Sequence, residues 1–545
     1  MIRDQDLQSV QQVRTLLQKA REAQQIYRTF SQEQVDRVFA AVAEAGFKAS
    51  ERLARMAVEE TGYGKVQDKI IKNRFATRDV YEAYAAMPTV GVIHEDRRNR
   101  ILEIAEPVGI VAAIIPTTNP TSTALFKCLI ALKARNGIVV APHPRAVRCT
   151  CEAVRIATEA AESAGAPPGL IGCITAVHMA GTQELMKARE TSVILATGGP
   201  GLVRAAYSAG KPAFGVGPGN VPVYIDRTAE VKKAVADVVA GKTFDWGTLC
   251  SSEQAIVVDE PVYDEVVSLL HEHRAYFLNE KEADLVGRVL VTPEGRINPE
   301  LVGHSPQAIG KAAGLHIPEE IQLLVAPLKG VGKRYPLSRE KLSPVLALYR
   351  VKDWVEGCDL CIELLKFGGM GHTLAIHCRN EEVILQFGLH KPAFRILVNT
   401  PASIGAVGYT TNLDPSMTLG CGSLGGNITA DNISPRHLMN MKRVAYETKP
   451  LSADRETAAV WRPRIVGTSR KPEAHFPYQK ALSSDVSRKG SSISGRPSAP
   501  ASAAVGSADR FAETDGERKY GSGQLSGTEV DRIVAEFLKE RGLQA

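Results

Sequence analysis

The chain has no apolar run long enough to cross a bilayer. Its longest near-candidates, such as residues 109–116, have the length of one strand, against the roughly 20 residues that a spanning helix needs. No membrane partner is expected. A block of basic charge is also lacking. The net charge is only +6, from 66 Lys and Arg against 60 Asp and Glu. Residues 451–545 hold 15 of the basic and 12 of the acidic residues, so they supply +3 and the body supplies the other +3. No stripe of positive charge suited to a phosphate backbone stands out, and no nucleic-acid partner is expected. Nor is there a cysteine framework. The nine cysteines, an odd number, are scattered at 128, 149, 151, 173, 250, 358, 361, 378 and 421. The start of the chain, Met1-Ile2-Arg3-Asp4-Gln5-Asp6, is polar and acidic, without an apolar signal segment. The expectation is therefore reduced thiols in a cytoplasmic protein. Only Cys358 and Cys361 stand at CxxC spacing, and no second pair completes a zinc site. No metal is expected, and the two read as buried structural thiols on an amphipathic helix.

What is present is the composition of a soluble enzyme, with 44% hydrophobic and 23% charged residues and a mean hydropathy of −0.10. At about 150 residues per domain the length allows three or so domains. Residues 1–85 read as helical, with Val35, Val38, Phe39 and Val42 on one face. Short β-branched runs then alternate with helical stretches: 110–115 before 121–135, 137–141 before 149–164, and 192–196 before 201–209. The pattern restarts after Val223-Tyr224-Ile225-Asp226, with a helix at 232–242 and a strand at 253–258. Repeated strand–helix units mean parallel sheets covered on both faces, so two α/β domains in tandem are expected.

The composition changes near residue 451. In 481–527, 27 of 47 residues are Gly, Ala, Ser or Pro, too few large apolar groups to offset the entropy of ordering. A flexible linker is expected at 451–527. Pattern returns at 528–545, where Val530, Ile533, Val534, Phe537 and Leu538 line one side of a short helix. So short a helix needs a surface on which to bury its stripe. That surface is either its own enzyme body or, as the long tether favours, another protein.

The chemistry points to Phe244-Asp245-Trp246-Gly247-Thr248-Leu249-Cys250-Ser251-Ser252. A thiol after a Gly-containing turn and before a strand is placed as an exposed nucleophile is placed. Together with Pro116-Thr117-Thr118-Asn119-Pro120, Leu195-Ala196-Thr197-Gly198-Gly199, Gly215-Val216-Gly217-Pro218-Gly219-Asn220, Glu340-Lys341-Leu342-Ser343-Pro344, Gly369-Met370-Gly371-His372-Thr373 and Gly420-Cys421-Gly422, it resembles the aldehyde dehydrogenase superfamily. More narrowly it resembles the CoA-acylating branch, including the N-terminal half of bifunctional aldehyde–alcohol dehydrogenases. The resemblance covers about residues 7–446. It implies an α/β aldehyde dehydrogenase fold, with a Rossmann-like cofactor domain at 1–222, a catalytic α/β domain at 223–420 and a return segment at 421–450.

Carried over position by position, the resemblance makes Cys250 the nucleophile and Asn119, with the backbone N–H of Cys250, the oxyanion donor. Asn119 would otherwise read as a turn residue capping the next helix. His372 would assist proton transfer or position coenzyme A, or else be a structural histidine in a glycine turn. The resemblance assigns Thr197, Gly198 and Gly199 to the pyrophosphate of NAD, Pro142, His143 and Pro144 to its adenosine, and Glu340 to its nicotinamide ribose. Trp246 would line the aldehyde pocket and favour a small substrate.

Hydrolytic members of the superfamily carry a Glu 34 residues before the Cys to activate water. Here 250 − 34 = 216, and residue 216 is Val. Without that base the thioester must wait for a better nucleophile, and a thiol such as coenzyme A is one. The expected activity is NAD-dependent oxidation of propanal, acetaldehyde or lactaldehyde to the acyl-CoA. The alternatives are a hydrolytic aldehyde dehydrogenase and a scaffold acting through its tail. On such an enzyme, 528–545 resembles the encapsulation peptide of bacterial microcompartments, which docks on shell proteins or core enzymes. A homo-oligomer, dimer or tetramer, is the family habit.

Overall fold

The computed structural model describes residues 4–449; the linker and terminal helix expected at 451–527 and 528–545 lie outside the described residues. The helical start is α1 (Gln5–Tyr27), α2 (Gln32–Lys48), α3 (Ser50–Thr61), α4 (Val66–Arg74) and α5 (Val80–Tyr84). Ser31 opens α2 in a capping box with Gln34, satisfying two otherwise orphaned N–H groups. Gly62, at φ 73°, closes α3 in the left-handed conformation that glycine reaches without penalty. A hairpin follows, β1 (Gly91–Asp96) against β2 (Ile101–Pro107).

Four strand–helix units build the next sheet: β3 (Ile110–Ile114) with α6 (Pro120–Lys133), β4 (Gly137–Ala141) with α7 (Val147–Ser163), β5 (Ile171–Cys173) with α8 (Met179–Lys187), and β6 (Thr191–Thr197) with α9 (Pro200–Tyr207). Strand β7 (Ala213–Val216) completes it, in the order β5-β4-β3-β6-β7 with every pair parallel. Every residue of β3 and β4 is buried, as expected of strands covered on both faces. The order reverses between β3 and β6, and such a switch point leaves a crevice at the strands' carboxyl ends.

Only residues 217–220 separate β7 from β8 (Val221–Ile225), the first strand of the second sheet. That sheet adds α10 (Val231–Thr243), β9 (Glu253–Asp259), β10 (Ala275–Phe277), β11 (Leu323–Pro327), β12 (Val345–Val351), β13 (Leu374–His377) and β14 (Ile396–Val398). Its seven strands run β10-β11-β12-β9-β8-β13-β14, again all parallel. Because β7 leads straight into β8, the carboxyl edge of the first sheet adjoins the amino edge of the second. Strand β15 (Met439–Ala445) then returns to pair antiparallel with β2. Cys358 and Cys361 are fully buried on the helix Trp354–Phe367, among Leu364, Leu365 and Phe387. Among the described residues no helix is long and apolar enough to cross a membrane.

Candidate active site

The thiol turn begins where α10 ends. Asp245, Trp246 and Gly247 follow one another at φ 49°, 52° and 73°, a left-handed run that brings Cys250 to the amino end of β9, half-buried. Beyond the thiol the turn is pinned: the Ser251 hydroxyl donates to the Ser403 carbonyl at 2.8 Å, and the Glu253 carboxylate accepts the Ala402 N–H at 2.6 Å. Facing it are Glu340 ahead of β12, residues 217–220 ahead of β8, and His372 ahead of β13, all at the amino edge of adjacent strands. Gly219 threads between two of them. A Cβ there would come within 2.3 Å of the Cys250 carbonyl oxygen and 3.1 Å of the His372 ring, so no larger residue fits.

Burial dominates the electrostatics. It pushes the Cys250 thiol up to about 12, helped by the nearby Glu340 and opposed by Arg395. Glu340 accepts the Gly219 N–H at 3.0 Å and is itself pushed up to about 7, chiefly by burial. His372 is held neutral, pushed down to about 3 by burial and then by Arg395. Its Nδ1 lies 2.9 Å from the Thr373 hydroxyl, and its Nε2 is buried with no partner among the described residues. Arg395 donates to the carbonyls of His372 and Ala430 at 2.9 and 3.0 Å, to that of Gly420, and to Asn432 Oδ1 at 2.7 Å. It thus fixes the two glycine turns around the thiol and supplies a buried positive charge. In the free protein the thiol is therefore protonated at neutral pH. Because its pKa is far above 7, alkylation by iodoacetamide is expected to accelerate about tenfold per pH unit between 7 and 10. Peptide-mapping mass spectrometry at position 250 measures this, and a plateau below pH 8 would contradict it.

Asn119 is the N-cap residue of α6 by position, its carbonyl accepting the Thr123 N–H at 3.1 Å, but its side chain makes no capping hydrogen bond. Instead Asn119 Oδ1 accepts from the ammonium of Lys72 on α4, and Nδ2 donates to the Thr118 hydroxyl at 3.1 Å. Lys72 also contacts Asp245 of the thiol turn. Trp246, half-buried, lies under the Lys65 ammonium at 4.7 Å.

The proposed cofactor residues follow β4 and β6, at the carboxyl ends of the first sheet and beside Asn119, which follows β3. Pro142 is buried, His143 half-buried and Pro144 exposed, and His143 Nδ1 accepts the Arg145 N–H at 3.1 Å. Gly199 precedes α9, and a Cβ at Gly199 or Gly201 would meet nothing within 4 Å. That open space over a helix N-terminus suits a pyrophosphate approaching the backbone closely, so the residues present fit a dinucleotide. Beneath them the fully buried Lys127 donates to the carbonyls of Ile114 and Leu195 and to the Thr197 hydroxyl at 2.8, 2.9 and 3.0 Å. It ties the two strands that flank the switch point. Sequence reasoning missed Lys127, Lys72, Asp245 and Arg395. The available signal for Lys127 was a lysine inside the apolar run 124–132; Asp245 stood in the thiol segment with nothing to mark its role, and Lys72 and Arg395 carried no signal.

Comparison with known proteins identifies the family and the fold. The profile of the aldehyde dehydrogenase family matches residues 2–280. The bifunctional aldehyde-alcohol dehydrogenase AdhE of Escherichia coli K12 is 46% identical over 442 residues, covering 80% of this chain and 50% of that protein. The chain thus spans about half the length of such curated relatives. The crystal structure of an acetylating aldehyde dehydrogenase from Geobacillus thermoglucosidasius is 54% identical, with a TM-score of 0.82 over 83% of this chain and 100% of that one. A propionaldehyde dehydrogenase from the Clostridium phytofermentans fucose utilisation bacterial microcompartment is 27% identical, with a TM-score of 0.72 over 80% and 97%.

Proposed function

Because this chain belongs to the aldehyde dehydrogenase family, we propose that it is the CoA-acylating kind, oxidising a small aldehyde to its acyl-CoA with NAD and coenzyme A as co-substrates. The observation that carries this is Val216. It closes β7, 2% exposed, directly before the turn that packs on Cys250. An isopropyl group there cannot accept a proton, so water lacks a base at that position.

The residues divide the work. Cys250 loses its proton and its sulfur bonds to the aldehyde carbon. Glu340, with a pKa brought near 7 beside the thiol, is suited to receive that proton. The carbonyl oxygen becomes an oxyanion, which Asn119 Nδ2 and the Cys250 N–H stabilise as charge builds. NAD, when bound, supplies the hydride acceptor. Residues 197–199 and 142–144 hold its diphosphate and adenosine side, with Glu340 toward the nicotinamide ribose. The product on the enzyme is a Cys250 thioester. The thiol of coenzyme A attacks its carbonyl, the Cys250 sulfur leaves, and the incoming thiol's proton ends on that sulfur, which burial makes the stronger base. His372, held neutral with a free Nε2, is suited to positioning that incoming thiol and is too weak a base to keep its proton.

Similarity to a microcompartment propionaldehyde dehydrogenase, with the tail pattern at 528–545, supports propanal as substrate and residence inside a bacterial microcompartment, reached through shell proteins or core enzymes. A dimer or tetramer is supported by β1 and β15, whose outer edges have no strand partner among the described residues and where Val92 and Val444 are exposed. The test is intact-mass spectrometry after mixing enzyme, NAD⁺ and propanal without coenzyme A. One propanoyl group per chain is expected on Cys250, and it should disappear when coenzyme A is added. A thioester that decays equally fast without coenzyme A would support the hydrolytic reading instead.

A further inference from the structure

The oxyanion donor and the nucleophile come from elements far apart in the chain, and a single buried charge network joins them. Asp245 is fully buried, five residues ahead of Cys250 in the thiol's own turn. Its Oδ1 accepts the Lys65 N–H at 2.7 Å, and its own N–H donates to Asp68 at 2.7 Å. Its Oδ2 accepts from the Thr248 hydroxyl at 2.6 Å, from Lys69 at 3.0 Å and from Lys72. Lys69 and Lys72 project from one face of α4 at i, i+3, and Lys69 also donates to the Thr118 carbonyl at 3.0 Å. Lys72 reaches Asn119 Oδ1 and, at 3.4 Å, the Thr248 hydroxyl. An ammonium donates only, so it accepts no other end of the amide: Oδ1 must face Lys72, and Nδ2 must face away. Gly64, at φ 78°, lets the α3–α4 turn close over Asp245, where a Cβ would lie 2.0 Å from the carboxylate.

We infer that Lys72 is a positioning residue for acylation: held by Asp245, it fixes the Asn119 amide with Oδ1 toward itself, so that the Nδ2 hydrogen not given to the Thr118 hydroxyl is left for the reacting carbonyl, and it ties that amide to the turn carrying Cys250. This rests on the reading of Asn119 as the oxyanion donor. A misoriented amide presents an oxygen to a developing oxyanion, so the loss falls on the transition state and leaves substrate affinity alone.

A double-mutant cycle on the full chain tests it, with the pre-steady-state NADH burst from propanal as the readout. Lys72→Met keeps Asp245 paired with Lys69, and is expected to slow the burst about 10- to 100-fold with KM for propanal within about threefold. Lys72→Gln, whose amide still donates to Oδ1, should recover most of the rate. In an Asn119→Ala background, Lys72→Met should cost nothing further, because its target is gone. Thermal melts of all variants report folding. Equal losses in Lys72→Met and Lys72→Gln, multiplying with that of Asn119→Ala, would overturn the inference and leave Lys72 a structural ion. A fully active Asn119→Ala variant would instead overturn the oxyanion reading, and the inference with it.

Discussion

Cys250→Ala is expected to form no NADH from any small aldehyde, with kcat/KM down by on the order of 10⁴-fold or more. The loss is this large because the covalent route has no substitute. The neighbouring hydroxyls are unavailable: Ser251 is buried and committed to the Ser403 carbonyl, and Ser252 is buried beneath the turn. Cys421 shares the electrostatic surroundings but is only 2% exposed, with its thiol also pushed up by burial. The variant should fold normally, since the turn is held by backbone and by Ser251, Glu253 and Asp245. Stopped-flow absorbance at the NADH band, with intact mass to check for acyl transfer elsewhere, measures the effect. Appreciable residual turnover would move the nucleophile to another residue.

The second large effect is expected at Asn119→Ala, a fall of about 10²- to 10³-fold in kcat with KM for the aldehyde nearly unchanged. A neutral amide contributes little to binding an uncharged aldehyde and much to the oxyanion it becomes. Stability should hardly move, because the Asn119 side chain does not cap α6 and Lys72 keeps Asp245 and Thr248 as partners. Steady-state kinetics together with a thermal melt separates the two. A loss seen mainly in KM would make Asn119 a substrate-binding group and remove it from the transition state.

Most of the scaffold was readable because its signals are local. The short β-branched runs of β3 and β4, the periodic face of α2, and the Gly-Thr-Leu-Cys turn each declare themselves within a dozen residues. The family resemblance then named Cys250, Asn119, Glu340 and His372, which the fold gathers around the meeting edges of its two sheets. What stayed hidden depends on long-range contact. Lys72 and Asp245 meet across 173 residues, and nothing near either announces the other. Arg395 reads as an ordinary surface arginine until the fold buries it among carbonyls. The pairing of β15 with β2 joins segments of unremarkable alternation whose register only the finished body fixes. Lys127 was the exception, a charge in a helix with every residue buried, and a buried lysine in such a place asks for acceptors.

In the acylating reaction proposed for this enzyme, a thiol and not water resolves the acyl group on Cys250. The most direct measurement is the NADH progress curve from propanal and NAD⁺ with and without coenzyme A. Without it, a burst of about one NADH per active site and then a stall is expected, with steady turnover restored on adding coenzyme A and acyl-CoA accumulating in equal amount. Sustained turnover without coenzyme A, releasing the free acid, would contradict it and require a base for water despite Val216.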